Sequence, residues 1–347
     1  MRIAKQNLFK LIGILSSKVD VYAPKKVKGV TNFHKINSED SIDLETVRTK
    51  TPPKEILFKQ SEETMKIKTE AGKIISIESI ASIEDTIIFG IRPCDAKGMS
   101  ILDNFFMDTK RKDGGDQKHI DPLWEKRRKR TLIMSVACKK PMASCACTSL
   151  GIHPASEVGS DILFIPDGDG FVVMGVTQTG KKFLSENSGY FTDDGDAVET
   201  QNSLRERCES MMSFSIPTEN AGKLFSTYKN TEIWEKISKG CISCGVCTFL
   251  CPTCHCFEIR DRKISKNESV RVKCWDSCKF NPYSLEASGH HPRPTVADRF
   301  KNRILDKFQY HVTLYDEIAC TGCGRCSDFC PAGITLADTL TVLGGVL

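Results

Sequence analysis

Two four-cysteine runs of identical spacing constrain this chain more than any other feature. CISCGVCTFLCP (residues 241–252) and CTGCGRCSDFCP (320–331) both read C-x2-C-x2-C-x3-C-P. A segment this short brings three thiols to one point only by winding tightly. Gly245, Gly322 and Gly324 supply the backbone freedom that such winding needs. The proline after each fourth cysteine ends the loop and lets a helix begin, turning that cysteine away from its own run.

Such spacing is that of a 4Fe–4S cluster loop in which the fourth cysteine of each run serves the other cluster. The pattern therefore assigns Cys241, Cys244, Cys247 and Cys330 to one cluster, and Cys320, Cys323, Cys326 and Cys251 to a second. Structural zinc also uses C-x2-C, but as two pairs rather than two quartets with exchanged fourth ligands.

Cysteine usage elsewhere agrees with metal ligation. The chain has 347 residues, 17 of them cysteine, and its N-terminus MRIAKQNLFKLIGILSS is not an export signal. Lys10 interrupts the apolar run, and Leu8, Leu11, Ile12 and Leu15 fall at helical spacing, which reads as an amphipathic opening helix. In a cytoplasmic chain thiols stay reduced, so the cysteines are not a disulfide framework. No apolar run is long enough to span a membrane. The net charge of +5 does not by itself announce a nucleic-acid partner.

Cysteine placement also suggests two domains. Residues 1–225 hold five cysteines and the remainder holds twelve, with polar turns and short helices near 215–230. The expected fold is an α/β domain over 1–225, followed by a two-cluster ferredoxin-like domain over 226–347 with a helical insertion. That insertion, 68 residues between the two runs, carries Cys254, Cys256, Cys274 and Cys278. These could bind a further cluster or pack as small apolar groups, and they lack a tight three-ligand run. Arg293, Arg299, Arg303 and Lys307 in the same stretch would stabilise reduced anionic clusters, or form a solvated helix face. His255, His290 and His291 read as donors behind the ligands or as surface residues.

A further site is legible in the first domain. EDTIIFGIRPCDAKGMSILDNFF reads as strand, loop and helix, with a strand over 86–91, Asp95 as the helix cap, and Met99, Leu102 and Phe106 on one helical face. RTLIMSVACKKPMASCACTSLG repeats the pattern with a strand over about 131–137. Cys94 and Cys138 thus sit just past the carboxyl ends of two strands, and neighbouring strands would make their loops face each other. With Cys145 and Cys147 in the second loop, four thiols would meet at one rim, either as a third cluster site or as half-buried free thiols.

Other candidates are weaker. GVTQTGKK (175–182) lacks the final hydroxyl residue of a phosphate loop and reads as a turn from strand FVVMGV into a helix. No G-x-G-x-x-G follows a strand, so a flavin or nicotinamide would belong to a partner. KRRKR (126–130) has no interleaved aromatics and reads as a solvated helix end or a docking patch. DTKRKDGGDQKHIDP (108–122) reads as an exposed loop, and Cys208 as core.

IRPCDAKGMSILDNFF, VACKKPMASCACTSLG, CISCGVCTFLCPTCHCFE, WDSC, GHHPRP, KFQY and CTGCGRCSDFCP, in this order over residues 80–335, resemble the iron–sulfur electron-transfer subunits of cytoplasmic oxidoreductases. That family includes sulfhydrogenase beta subunits, the electron-transfer subunit of anaerobic sulfite reductase, and subunits of flavin oxidoreductase complexes coupled to heterodisulfide reductase. The resemblance implies a relay in anaerobic metabolism, between a flavin subunit that handles NAD(P)H and a catalytic redox subunit. It also implies a cluster at Cys94, Cys138, Cys145 and Cys147. His291 and Asp306 depart from the usual family pattern, which leaves the ligands intact and bears on the local potential.

Three functional classes follow. The first is an electron carrier with no chemistry of its own, because closed four-thiolate coordination leaves no open position for substrate. The second is a catalytic iron–sulfur subunit with the N-terminal cysteine site as its active centre. The third is a zinc-stabilised nucleic-acid-binding protein.

Overall fold

The computed structural model describes residues 1–109, 111–112 and 119–345. Its strands are β1 (Arg2–Ala4), β2 (Asp20–Val27), β3 (Val30–Lys35), β4 (Ser61–Glu70), β5 (Lys73–Ser79), β6 (Thr86–Ile91), β7 (Thr131–Val136), β8 (Ile162–Asp167), β9 (Gly170–Gly175), β10 (Phe257–Ser265) and β11 (Glu268–Trp275). Among the described residues they form two sheets, β1-β9-β8-β7-β6-β2-β3 and β10-β11-β4-β5. In the first, β2, β6, β7 and β8 run parallel, and β3 and β9 are antiparallel to their neighbours.

Helices cover both faces of the first sheet, as a parallel core requires. Helix α1 (Lys5–Ser16) buries Leu8, Leu11 and Ile12 against Ile87, Phe89 and Met134 on one face. On the other, α2 (Pro93–Met107) buries Met99, Leu102 and Phe106 against Ile88, Ile91 and Ile133. The sidedness comes from alternation along β6 and β7, with a bulge at Gly90 (φ +81) putting Ile91 on the face of Ile88. Helix α3 (Pro122–Lys129) joins the second face through Trp124, and α4 (Gln178–Glu186) and α5 (Ala197–Glu209) follow β9.

The cysteine-rich remainder packs round Ile233, Trp234, Phe300, Ile304, Leu305, Phe308, Leu336, Leu340 and Leu343, a core that Ala146, Ile216 and Leu224 also join. The first-named residues come from α6 (Thr231–Ser238), α8 (Val296–Leu305) and α11 (Leu336–Gly344), with the turn Asp306–Tyr310. Short helices α7 (Val246–Phe249) and α10 (Arg325–Asp328) lie within the two cysteine runs, and α9 (His311–Tyr315) continues the turn.

Several expectations need correction. The insertion between the cysteine runs is not purely helical: it opens with the β10–β11 hairpin, and β11 pairs antiparallel with β4. Strands from both sides of residue 225 therefore share one sheet. Asp95 does not cap α2: Arg92 occupies that position without a side-chain cap, and Asp95 lies inside the first turn, buried against Arg325. The KRRKR run is not simply solvated either. Arg127 is buried and paired with Glu62, and Arg128 pairs with Asp103 at 3.0 Å. The loop expected over 108–122 lies in part outside the described residues. The turn from FVVMGV into α4 is present, with Thr177 as the cap accepting from Gly180 N–H. Cys208 is fully buried.

Candidate metal centres

Three cavities are lined by the cysteine sets read from the sequence. Cys241, Cys244, Cys247 and Cys330 line the first. Cys251, Cys320, Cys323 and Cys326 line the second. Cys94, Cys138, Cys145 and Cys147 line the third. The sulfurs stand around voids, and among the described residues no three His, Cys, Asp or Glu side chains converge on a single-ion position. Four thiols around each void are a donor set that fits a cubane cluster, and His153 also lines the third.

The third site exists because β6 and β7 are parallel neighbours. Their pairing brings the loops after Ile91 and Val136 to one rim, with Cys94 on the first turn of α2 and Cys138 two residues past β7. Cys138 is fixed by its N–H to the Pro154 carbonyl at 2.9 Å, and Cys208 donates to the Cys138 carbonyl at 3.0 Å. Met142 N–H points at Cys145 Sγ at 3.3 Å, as Ile334 N–H does at Cys330 Sγ at 3.4 Å.

The second ferredoxin-type loop is stacked directly on this rim. Ala146 N–H donates to the Gly322 carbonyl at 2.9 Å. Gly322 (φ +62) leaves no room for a side chain: a Cβ there would lie 2.4 Å from the Ala146 carbonyl carbon. Gly324 (φ +75) is closed in the same way by Ser144. Arg48, from the loop after β3, reaches the Cys323 carbonyl and Asp328.

The cavities adjoin in a fixed order. Arg303, Cys326 and Leu336 face both the first and the second, and Gly322 and Cys323 face both the second and the third.

Burial disfavours thiolates in the second and third sites, and buried cations beside the cysteines oppose that penalty. Burial pushes the thiols of Cys138 and Cys326 up to about 11 and those of Cys147 and Cys320 up to about 12. Such groups lose their protons on binding metal rather than before it. The surrounding cations are buried too. Arg299, Arg303 and Lys307, expected to be either tuning cations or a solvated face, point inward at i, i+4 and i+8 along α8 and the turn after it. Thr295 starts α8 with a reciprocal capping box to Asp298, a feature of about 1 kcal/mol. Arg303 Nη1 donates to Cys254 Sγ at 3.2 Å. Arg293 is half-buried and bonds Asn302.

Sequence reasoning missed other buried cations. Lys54 is 2% exposed, donates to the Cys254 carbonyl at 2.8 Å and lies 4.3 Å from the Trp275 ring centre. Arg92 directs its guanidinium at the carbonyls of Leu44, Thr46, Val136 and Ala137 and lies beside Cys138. Lys279 is also 2% exposed. No signal in the local pattern marks Lys54 or Arg92, whereas Lys279 directly follows a cysteine.

The extra cysteines line none of the three cavities. Cys254 touches Cys251, Cys256 touches Cys278, Cys278 is also near Cys254, and Cys274 faces Ser61 Oγ at 3.5 Å across the sheet. His255 stacks on Phe105 at 3.6 Å, and burial lowers it to about 4. His290 is exposed, and His291 is half-buried with Nε2 2.6 Å from the Asn281 carbonyl.

Fold and cysteine geometry together define the class: an iron–sulfur protein whose C-terminal part holds paired cluster loops. A family described as 4Fe-4S dicluster domain matches residues 240–334. The chain is 31% identical to sulfhydrogenase 2 subunit beta of Pyrococcus furiosus, over 90% of this chain and 89% of that one. It is 23% identical to F420-dependent formate dehydrogenase subunit beta of Methanocaldococcus jannaschii, over 79% of this chain and 64% of that one. No solved structure matches. The chain belongs to the family of iron–sulfur electron-transfer subunits that includes the sulfhydrogenase beta subunits. Among the described residues no helix is long and apolar enough to cross a membrane.

Proposed function

We propose that this chain relays single electrons through three 4Fe–4S clusters, held by the three cysteine sets that line the three cavities. The carrying observation is the order of those cavities, each sharing wall residues with the next. A cluster at each site would take up and release one electron at a time. The chain's own part is to hold the thiolates, neutralise them with buried cations and keep neighbouring sites in contact. In this reading the partners are a flavin subunit that handles NAD(P)H and a catalytic redox subunit, in a cytoplasmic complex. No flavin or nicotinamide belongs to this chain.

Iron and acid-labile sulfide per chain, measured on protein purified without oxygen, test the reading. About 12 of each supports three clusters, and about 8 restricts the relay to the ferredoxin-type pair. Colourless protein carrying zinc would overturn it.

One observation favours the catalytic alternative. An open cleft is lined by Cys138 together with Lys5, Glu45, Arg92, Lys139 and Lys140. Its Glu45 is engaged by Lys5 at 3.4 Å and Lys139 at 3.8 Å, which leaves it poorly placed as a base. Substrate turnover by the isolated protein from a chemical reductant would select this alternative over the carrier.

A further inference from the structure

We propose that Lys279 sets the reduction potential of the site formed by Cys241, Cys244, Cys247 and Cys330, independently of the other two sites. The inference rests on the cluster reading above and assigns a role to a residue outside the ligand sets.

The observation is an uncompensated charge. Lys279 Nζ is buried and has no hydrogen-bond partner in the protein. Nζ lies 3.9 Å from the centre of the Phe300 ring, and Cys247, Cys278 and Arg303 are within electrostatic reach. An ammonium has three donors and no acceptor capacity, and burying it unpaired is costly. Neighbouring buried cations are accommodated differently. Lys54 bonds main-chain carbonyls, Lys307 bonds Thr253 Oγ1 at 3.1 Å and lies 3.5 Å from Asp306, and Arg303 bonds Cys254 Sγ.

Lys279 lines the first cavity and neither of the others. Among the described residues no aspartate or glutamate lines that cavity, so cysteine sulfurs are the groups there able to carry negative charge. The interaction with Cys247 opposes the effect of burial on Lys279, which places the ammonium within electrostatic reach of a ligand sulfur. A cation held there stabilises the site with one added electron more than without it, because reduction adds one negative charge and moves no proton. Arg303 differs because it faces the first and second cavities together.

The test is a redox titration followed by electron paramagnetic resonance, with dithionite as reductant, on full-length protein of measured iron content. Lys279→Met is expected to lower one of the two ferredoxin-type midpoints by about 59 mV or more, equivalent to a tenfold weaker hold on one electron. Lys279→Arg should restore most of that shift. Arg303→Met should move both midpoints, which separates a local effect from a shared one. Where Lys279→Met loses iron, Lys279→Gln, which keeps a donor but no charge, is read in its place and should show the same single lowered midpoint. Unchanged midpoints in an iron-replete Lys279 variant, or equal movement of both, would overturn the proposal. Wild-type protein with well under 8 irons per chain would instead remove the cluster reading itself, and the proposal with it.

Discussion

Asp95 and Arg325 stand 230 positions apart in the chain and form a fully buried, two-pronged ion pair. Arg325 Nη1 donates to Asp95 Oδ1 at 2.6 Å and Nη2 to Oδ2 at 2.8 Å. Asp95 follows Cys94 on α2, and Arg325 precedes Cys326 in the second cysteine run, so the pair ties the rim of the parallel sheet to the dicluster loops. Arg325 Nε also holds the Thr49 carbonyl at 3.0 Å, which adds the loop after β3 to the same knot.

Breaking that pair leaves a charge buried without its partner, a change of about 3–5 kcal/mol. Arg325→Met and Asp95→Asn should each lower the thermal midpoint strongly. The double variant should lose much less than the sum, because neither charge is then stranded. Thermal unfolding of the four proteins, compared as a cycle, checks this. Additive losses would mean that the pair is not the element holding the two parts together.

Gly322 and Gly324 make a sharper claim about the same junction. Both have positive φ, and both are closed by the 144–147 loop, so alanine meets backbone strain and a collision together. The strain alone is about 1–2 kcal/mol. Gly322→Ala should therefore separate the second loop from the third site and reduce iron bound there. Gly151→Ala has positive φ with nothing within 4 Å, so it isolates the backbone contribution. Similar iron content in the Gly322 and Gly151 variants would count against close stacking.

Acid sensitivity should be set partly by Asp43, in the loop that carries Arg48. Burial alone would raise this carboxyl, but hydrogen bonds outweigh it and hold it at about 2. Thr31 and Thr46 hydroxyls each donate to Oδ2 at 2.6 Å, and the N–H groups of Glu45 and Thr46 donate to Oδ1 at 3.1 and 3.0 Å. A carboxylate with a lowered folded value contributes stability above its unfolded value near 4, and loses it as pH falls towards 2. Allowing for solvent screening of a partly exposed group, about 1 kcal/mol is at stake. Asp43→Asn should be less stable than wild type at pH 6 and converge with it at pH 2–3, as urea unfolding at both pH values would reveal. A constant difference across that range would show that packing, not charge, matters at this position.

The parts legible in the sequence were those written in local repeats. The apolar runs of β6 and β7, the face of α1 and the spacing of the two cysteine runs are short-range patterns, and the strands and the helix appear where those patterns put them. The facing of Cys94 and Cys138 needed one further fact, that β6 and β7 are neighbours, which a sequence cannot state. The β10–β11 hairpin escaped because its strands are largely exposed and charged, and because β11 finds its partner β4 about 200 residues earlier. Asp95 looked like a helix cap because an aspartate early in a helix usually serves that end, whereas a distant arginine claimed it. Lys54 and Arg92 were illegible for a similar reason: a buried cation is explained by the distant carbonyls it bonds, and no local pattern records that meeting.

The exchange of fourth ligands is the most direct test of the site as a whole. In the proposed assignment Cys251 belongs with Cys320, Cys323 and Cys326, although it lies in the run of Cys241, Cys244 and Cys247. Cys330 does the reverse. Cys330 is placed against the first cavity and not the second, and Cys251 against the second and not the first. Serine at either position removes one soft thiolate from one cluster. Cys251→Ser should thus perturb the signal that Cys323→Ser abolishes, and Cys330→Ser the signal that Cys244→Ser abolishes, with iron falling by up to about 4 per chain in each case. Cys274→Ser, remote from all three cavities, should leave iron and both signals as they are. If Cys251→Ser instead grouped spectroscopically with Cys244→Ser, each run would be closing its own cluster. The ladder of shared walls would then join different sets of thiolates.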